Sequence, residues 1–202
     1  MKKVNYVILV LAAVFLGGCL SPQPKIEVIN DEFSDSKKIK LSDNYVGGGT
    51  MMIEQHGLYM DFTKYADKTS IFITVAFHDK VAETKTTVSI YNQRIGGLCT
   101  FRADDTNIPV RITKGASDYD VDIVGHPGNR MVTASAVVQG TGIIWGDDLQ
   151  KFIEAKEPQI KCGEVVYKYN SGENNLYSNP QELNKNFIPL LKQFYEQAIN
   201  FK

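Results

Sequence analysis

The sequence predicts an α+β fold that is mainly β, with antiparallel β-sandwich or barrel-like sheets and two helices. Three observations predict this class. Short segments rich in Val, Ile, Thr, Tyr and Phe recur along the chain, and Gly, Asn, Asp or Pro separates many of them. Residues 86–93 and 119–125 alternate apolar and polar side chains, which is typical of a strand with one face in solvent. Helical spacing of apolar residues is confined to a segment near 147–155 and to the C-terminus.

Strand patterns recur at intervals of about 8–12 residues, a spacing typical of sandwiches and barrels. Residues 70–77 are almost continuously apolar, so we expect them to form a central strand. Residues 124–131 contain Pro127 and Gly128 and predict a hairpin turn. The predicted strands are residues 25–29, 38–41, 50–54, 58–63, 70–77, 86–91, 98–102, 110–113, 119–124, 131–138 and 161–169.

Two predicted helices interrupt the strands. Asp147 followed by Gln150 resembles a capping box and predicts a short helix over residues 147–155. The second is predicted to begin at Asn179 because Pro180 suits the first helical position, and Pro189 is expected to kink or split it. We expect this C-terminal helix to pack on the sheet; the alternative is a displaceable helix that docks into a partner's groove. Its apolar stripe consists of Leu183, Phe187, Leu190, Leu191, Phe194, Ala198 and Phe201.

The N-terminus has the three parts of a secretory signal. Lys2 and Lys3 are positively charged, residues 7–16 are apolar without interruption, and two glycines precede Cys19. This apolar run is too short for a membrane-spanning helix, which needs about 20 residues. Residues 16–19, Leu-Gly-Gly-Cys, resemble the lipobox of bacterial lipoproteins. The resemblance implies that Cys19 carries a diacylglyceryl group on its sulfur and begins the mature chain. A non-lipidated signal cut elsewhere and an uncleaved signal anchor are the alternatives.

The resemblance also predicts the N-terminal segments and the location, and the 184 residues left after residues 1–18 fit one domain, with two small domains as the alternative. We expect a signal peptide over residues 1–18, the lipidated cysteine and a tether over residues 19–25, and one β-rich globular domain over residues 26–202. The tether reaches at most about 23 Å at roughly 3.3 Å per residue, so the domain stays close to the bilayer. Leu20 stands where aspartate would resemble an inner-membrane retention signal. The expected location is therefore the outer membrane, facing the periplasm, if the source has two membranes.

Charge and cysteine content limit the partners. The formal net charge is −1, and loss of Lys2 and Lys3 with the signal lowers it to −3. The chain has no basic run of five residues, so nucleic acid is not an expected partner. Cys99 and Cys162 remain after processing and are a disulfide candidate in an oxidising compartment; two separate buried thiols are the alternative. Neither cysteine has a second ligand at zinc-finger spacing, so no metal site is predicted.

Four segments match fragments of catalytic motifs without the required context. Ser34 and Lys37 fit a Ser-x-x-Lys pattern, and residues 42–44, Ser-Asp-Asn, fit a second motif of penicillin-binding enzymes. Both lie in one short polar stretch, with no Lys-Thr-Gly element and no predicted helix to present the serine. Residues 47–50 lack the lysine of a phosphate-binding loop, and residues 140–145 lack the third glycine of a dinucleotide loop. We expect 47–50 to be a flexible connection, and the sequence predicts no enzyme and no cofactor.

The aspartates of residues 118–122 alternate along one predicted strand, so their carboxylates would share one face. Clustered carboxylates can hold calcium, but a solvated strand face is the expected role. An EF-hand is excluded, because Ile123 stands where that loop needs glycine and Asn129 where it needs glutamate. The residues concerned are Asp118, Asp120 and Asp122.

The histidines and the single tryptophan give no clear site. His56, His78 and His126 are isolated from one another in sequence, and His126 beside Pro127 is expected to be a turn residue. Trp145 precedes a predicted helix and is expected to anchor the core, with a ligand platform as the alternative.

These observations predict a non-catalytic envelope lipoprotein that binds a protein partner or contributes to an envelope assembly. A lipid or small-molecule carrier with a cavity inside the β fold is the alternative, and a hydrolase with scattered residues is a third hypothesis. A flat exposed patch of apolar and aromatic residues would favour partner binding. A cavity open to solvent would favour the carrier, and a cleft with convergent titratable groups would favour the enzyme.

Overall fold

The computed structural model describes residues 23–31, 36–51, 54–82, 97–124, 131–169 and 180–202. Several predictions fall outside these ranges. They are the signal peptide, the lipid site Cys19, Ser34, the strand at 86–91, residues 125–130 of the predicted 124–131 turn with His126, and the predicted helix start Asn179.

The described residues form strands along most of their length and two helices. The helices are α1, Gly146–Glu154, and α2, Phe187–Ala198. The strands are β1 Lys25–Asp31, β2 Ser36–Ser42, β3 Tyr45–Met51, β4 Glu54–Tyr65, β5 Ser70–Ala82, β6 Gly97–Ala103, β7 Thr106–Val124, β8 Met131–Trp145, β9 Gln159–Cys162, β10 Val165–Lys168 and β11 Gln181–Glu182.

The strands form one mixed, open sheet. Its order is β1-β2-β4-β5-β8-β7-β6-β9-β10-β11, and β3 pairs with β4 outside this path. Every described pair is antiparallel except β10 with β11, which is parallel. The predicted α+β class with mainly β structure is confirmed. Residues 70–77 lie within β5, which pairs with β4 on one side and β8 on the other, so their position as a central strand is also confirmed.

The last strand approaches β3, so the open sheet curls back towards its own middle. The Asn184 N–H donates a hydrogen bond of 2.7 Å to the Val46 carbonyl, just after β11 ends. Gly47 allows this approach, since a Cβ there would lie 2.6 Å from the Glu182 carbonyl oxygen and 2.7 Å from Tyr167 Cδ1. The prediction of a flexible connection at 47–50 is therefore wrong: these residues lie in β3, and the glycine is required by packing.

Alternate residues of the central strands β4 and β5 face a common core. On β4 these are Leu58, Met60 and Phe62, each at most 1 % exposed, and Ile73 of β5 pairs directly with Phe62. The inner face of the sheet packs against both helices. The ring centroids of Phe101 on β6 and Phe152 on α1 are 5.0 Å apart.

Three predicted strand boundaries are wrong. Segments 110–113 and 119–124 belong to one strand, β7, because a register shift between Lys114 and Ser117 bends the strand without ending it. Segment 161–169 is instead the hairpin of β9 and β10, in which Gly163 has a φ of 60°. Segment 50–54 spans the end of β3 and the start of β4.

The short helix near 147–155 is confirmed as α1, but the predicted capping box is wrong. The N-cap residue is Trp145, and it makes no side-chain capping hydrogen bond. Strand β8 runs directly into this helix, so the position that a cap would occupy belongs to the strand. Leu149, Phe152 and Ile153 form its buried side.

The C-terminal helix begins later than predicted. Gln181 and Glu182 form β11 because their backbone pairs with Tyr167 and Lys168, and this pairing outweighs the local helix-start signal. With the helix beginning at Phe187, Pro189 falls in the first turn. Its missing N–H has no intrahelical partner to lose there, so the predicted kink is not required.

The predicted packing of the C-terminal helix on the sheet is confirmed. The buried residues of α2 are Phe187, Leu191, Phe194 and Ala198. The ring of Phe62 on β4 lies 6.3 Å from that of Phe187 and 6.1 Å from that of Phe194, measured between centroids.

Neither helix among the described residues is long and apolar enough to cross a membrane.

Candidate functional site

The two cysteines singled out from the sequence lie opposite each other on neighbouring strands. Cys99 of β6 pairs in register with Cys162 of β9, and their Sγ atoms are bonded at 2.10 Å. Both residues are buried in the core. The bond joins segments 63 residues apart in sequence.

The fragments of catalytic motifs do not form a site in the described ranges. Residues 42–44 span the end of β2 and the turn to β3, in which Asp43 has a φ of 57°, a conformation that aspartate tolerates better than most residues. Residues 140–145 lie within β8, and the aspartates of 118–122 lie on β7. Across the residues that the structure describes, no group of three His, Cys, Asp or Glu side chains is placed to hold a metal ion.

The outer face of the sheet carries an exposed apolar patch, formed by Tyr65, Phe72, Ile143 and Trp145. Trp145 is 59 % exposed and Ile143 is 48 % exposed, although both are large apolar side chains. Phe72 of β5 pairs directly with Ile143 of β8, and Trp145 follows two residues later on the same face. The Tyr65 and Phe72 rings meet edge to face with centroids 5.4 Å apart. We call these four residues the apolar patch.

Strand alternation explains why these side chains point outwards. On β5 the residues at 71, 73 and 75 are buried, so Phe72 between them lies on the opposite face. On β8 the buried position 144 separates Ile143 from Trp145 in the same way. The prediction that Trp145 anchors the core is therefore wrong. It is the last strand residue on the outer face, and the chain turns into α1 immediately after it.

A second group on the same face is formed by three aromatic side chains, Tyr45, Tyr59 and His78, which we call the ring cluster. The centroids of Tyr45 and Tyr59 are 5.2 Å apart with planes tilted by 51°. Those of Tyr59 and His78 are 4.8 Å apart with a tilt of 55°. Gly57 lies beside the two tyrosines, and a Cβ there would approach their Cε2 atoms to 3.2 and 3.3 Å. Glycine at this position leaves the space that the rings occupy.

Carboxylates border the ring cluster. Asp61 accepts a hydrogen bond of 2.9 Å from the Asp43 N–H, and its other oxygen lies 2.9 Å from Lys40 Nζ. This ion pair neutralises Asp61. Within the described part of the chain, the Asp43 carboxylate has no ion pair, so it contributes an unbalanced negative charge beside the rings.

The surroundings keep the three rings uncharged at pH 7. Burial, with a smaller contribution from Tyr59, raises the pKa of Tyr45 to about 12. Burial also raises the pKa of Tyr59, and the nearby Asp43 charge adds to that rise. Partial burial lowers the pKa of His78 below its ordinary value, against the opposing effect of Asp43 and Asp61. The cluster therefore presents neutral aromatic faces next to a carboxylate.

Neutral aromatic faces beside a carboxylate are suited to binding a cation. A nucleophilic mechanism needs a hydroxyl or thiol within hydrogen-bond reach of a base. No described serine, threonine or cysteine makes such a bond with His78. No local sequence pattern indicates the cluster, because its members are far apart in the chain and only the pairing of β3, β4 and β5 brings them together.

Comparison with known proteins identifies no relative of this chain. The chain matches no protein-family model, no curated protein and no solved structure. The features that bear on function are therefore the outer face of the sheet and the N-terminal motif.

Proposed function

We propose that this protein is a lipid-anchored, non-catalytic envelope protein that binds a protein partner through the outer face of its sheet. The observation that carries the proposal is the apolar patch, in which Trp145 and Ile143 are both about half exposed or more beside Phe72. Scattered apolar residues are common on protein surfaces, whereas contiguous groups mark interaction sites. Tryptophan, tyrosine and phenylalanine are also enriched where proteins meet.

The shape of the patch supports a protein partner. Its residues lie on three adjacent strands of one sheet, a broad surface rather than a narrow opening. Lys38 Nζ lies 5.8 Å from the centroid of the Tyr65 ring and forms part of a polar border. An apolar centre with a polar rim is the usual arrangement of a protein interface.

The N-terminal motif supports the membrane anchor. The lipobox-like residues 16–19 and the short tether after Cys19 would hold the domain near the bilayer. A partner would then be met in the envelope, either in the same membrane or close to its surface. A carrier receives less support, because the side chains of α1 and α2 occupy the described inner face that a carrier would use for its ligand.

Site-specific photocross-linking tests the proposal. A benzophenone amino acid replaces Trp145 in the full chain expressed in its native membranes, and the same amino acid replaces Leu98 in a control. Leu98 is 52 % exposed and lies on β6, outside the patch. We expect one discrete protein adduct from position 145 and none from position 98. Adding Ile143→Asp is expected to reduce the adduct about tenfold or more, as for a residue near the centre of an interface.

Two outcomes would contradict protein binding at this patch. One is the absence of an adduct from position 145 when the protein is present at its native level. The other is an adduct that forms equally from position 98 or persists unchanged with Ile143→Asp. Because Ile143 is 48 % exposed and lies on the outer face, its replacement should leave the thermal unfolding midpoint close to that of the parent protein.

A further inference from the structure

The ring cluster combines features that protein sites use to hold a cation. We propose that Tyr45, Tyr59 and His78, together with Asp43, bind an arginine or lysine side chain presented by the protein partner. This inference rests on the proposed function, since it names the chemistry of one part of the partner's surface.

The aromatic faces are the first element of the site. The planes of neighbouring rings are tilted by 51° and 55°, so the rings do not cover one another as parallel plates would. A cation within about 6 Å of a ring centroid is attracted by the negative face of the ring. With centroids about 5 Å apart, one guanidinium or ammonium group can contact two rings at once.

The charge balance is the second element. Lys40 already neutralises Asp61, while Asp43 has no ion pair among the described residues. The His78 ring is neutral at pH 7 and does not repel a cation. An incoming positive group therefore meets one uncompensated carboxylate in a partly buried setting, where ionic attraction is less screened than in open solvent.

Continuity with the apolar patch favours a protein side chain over a small free cation. Tyr59 and Tyr65 are both on β4, six residues apart, which corresponds to about 20 Å along a strand. A partner that covers the apolar patch would extend over the ring cluster within an interface of ordinary size, about 800 Å² on each side. One partner surface can therefore contact both the apolar patch and the ring cluster.

A titration with short peptides tests the cation site directly. The probe is acetyl-Gly-Arg-Gly-amide, and its control replaces arginine by citrulline, which has nearly the same shape and no charge. Both are added to the full chain in its purified form, and aromatic ¹³C–¹H NMR signals of the cluster are followed. We expect the arginine peptide to shift the Tyr59 and His78 signals in a saturable manner and to bind at least about fivefold more tightly than the citrulline peptide.

Matched variants assign the effect to the cluster. Asp43→Asn removes the charge but keeps a residue that tolerates a left-handed backbone, and Tyr59→Leu removes one ring. Each is expected to weaken arginine binding by about threefold or more. Tyr59→Phe keeps the ring, and Tyr65→Leu alters only the apolar patch, so both should bind as the parent does. Unfolding midpoints measured in parallel show that each variant is folded.

The possible outcomes separate this inference from the proposed function. Equal binding of the two peptides, no binding, or binding unaffected by Asp43→Asn and Tyr59→Leu would overturn the cation site. None of these would affect cross-linking from position 145, which tests the protein interface by itself. The remaining possible occupant of the outer face is a second copy of this chain, which sedimentation of the full chain detects. Self-association that Tyr59→Leu abolishes would show that a second copy binds there and would overturn the inference.

Discussion

Replacing Cys99 and Cys162 together by alanine is expected to lower the free energy of unfolding by about 4 kcal/mol. The bond closes a segment with a sequence separation of 63 residues, and the loss of this closure lets the unfolded chain explore many more conformations. Alanine suits the comparison because both positions are buried, and a serine hydroxyl there would add its own burial cost. The bond also joins the neighbouring strands β6 and β9, which lie between β7 and the β10–β11 end of the sheet.

Urea unfolding of the oxidised parent, the reduced parent and the double variant measures this effect. The reduced parent and the variant should unfold at similar, lower urea concentrations, and reductant should leave the variant's midpoint unchanged. Indistinguishable midpoints for oxidised and reduced parent would contradict a stabilising disulfide between these strands.

Phe194→Ala is expected to lower the free energy of unfolding by about 3–5 kcal/mol. Phe194 is fully buried on α2, and its ring packs against Phe62 of β4. The truncation would leave a cavity between the helix and the sheet, which the rigid strands cannot readily fill. A decrease of this size in the free energy of unfolding is expected only if α2 is part of the hydrophobic core.

Gln193→Ala is the matched control, since the neighbouring residue is exposed on the same helix. It should change the free energy of unfolding by less than about 0.5 kcal/mol. If Phe194→Ala were equally mild in denaturant unfolding, the helix would contribute little to the core. The alternative of a displaceable helix that docks into a partner's groove would then gain support.

Local sequence patterns predicted the strands and helices whose buried residues recur at regular spacing within one segment. The continuous apolar run of 70–77 identified the central strand, and the stripe on the C-terminal helix contained all four of its buried residues. The start of that helix was wrong because Gln181 and Glu182 pair with a strand more than ten residues away in sequence. No local propensity can report such a pairing.

The candidate site depended even more on long-range structure. Alternation places Phe72 and Ile143 on one face of their strands, but only the register of β5 with β8 makes them neighbours. Tyr45, Tyr59 and His78 come together through two further pairings. Trp145 was predicted to lie in the core because its apolar side chain is large. It is exposed because it lies on the outer face at the end of a strand.

The proposed lipid anchor at Cys19 can be tested by the intact mass of the chain extracted from membranes, before and after reduction and alkylation. We expect the mass of residues 19–202 plus lipid chains, with Cys99 and Cys162 alkylated only after reduction. A mass without lipid, whatever the cleavage position, would contradict the anchor at Cys19. It would move the search for a partner of the outer face away from the membrane.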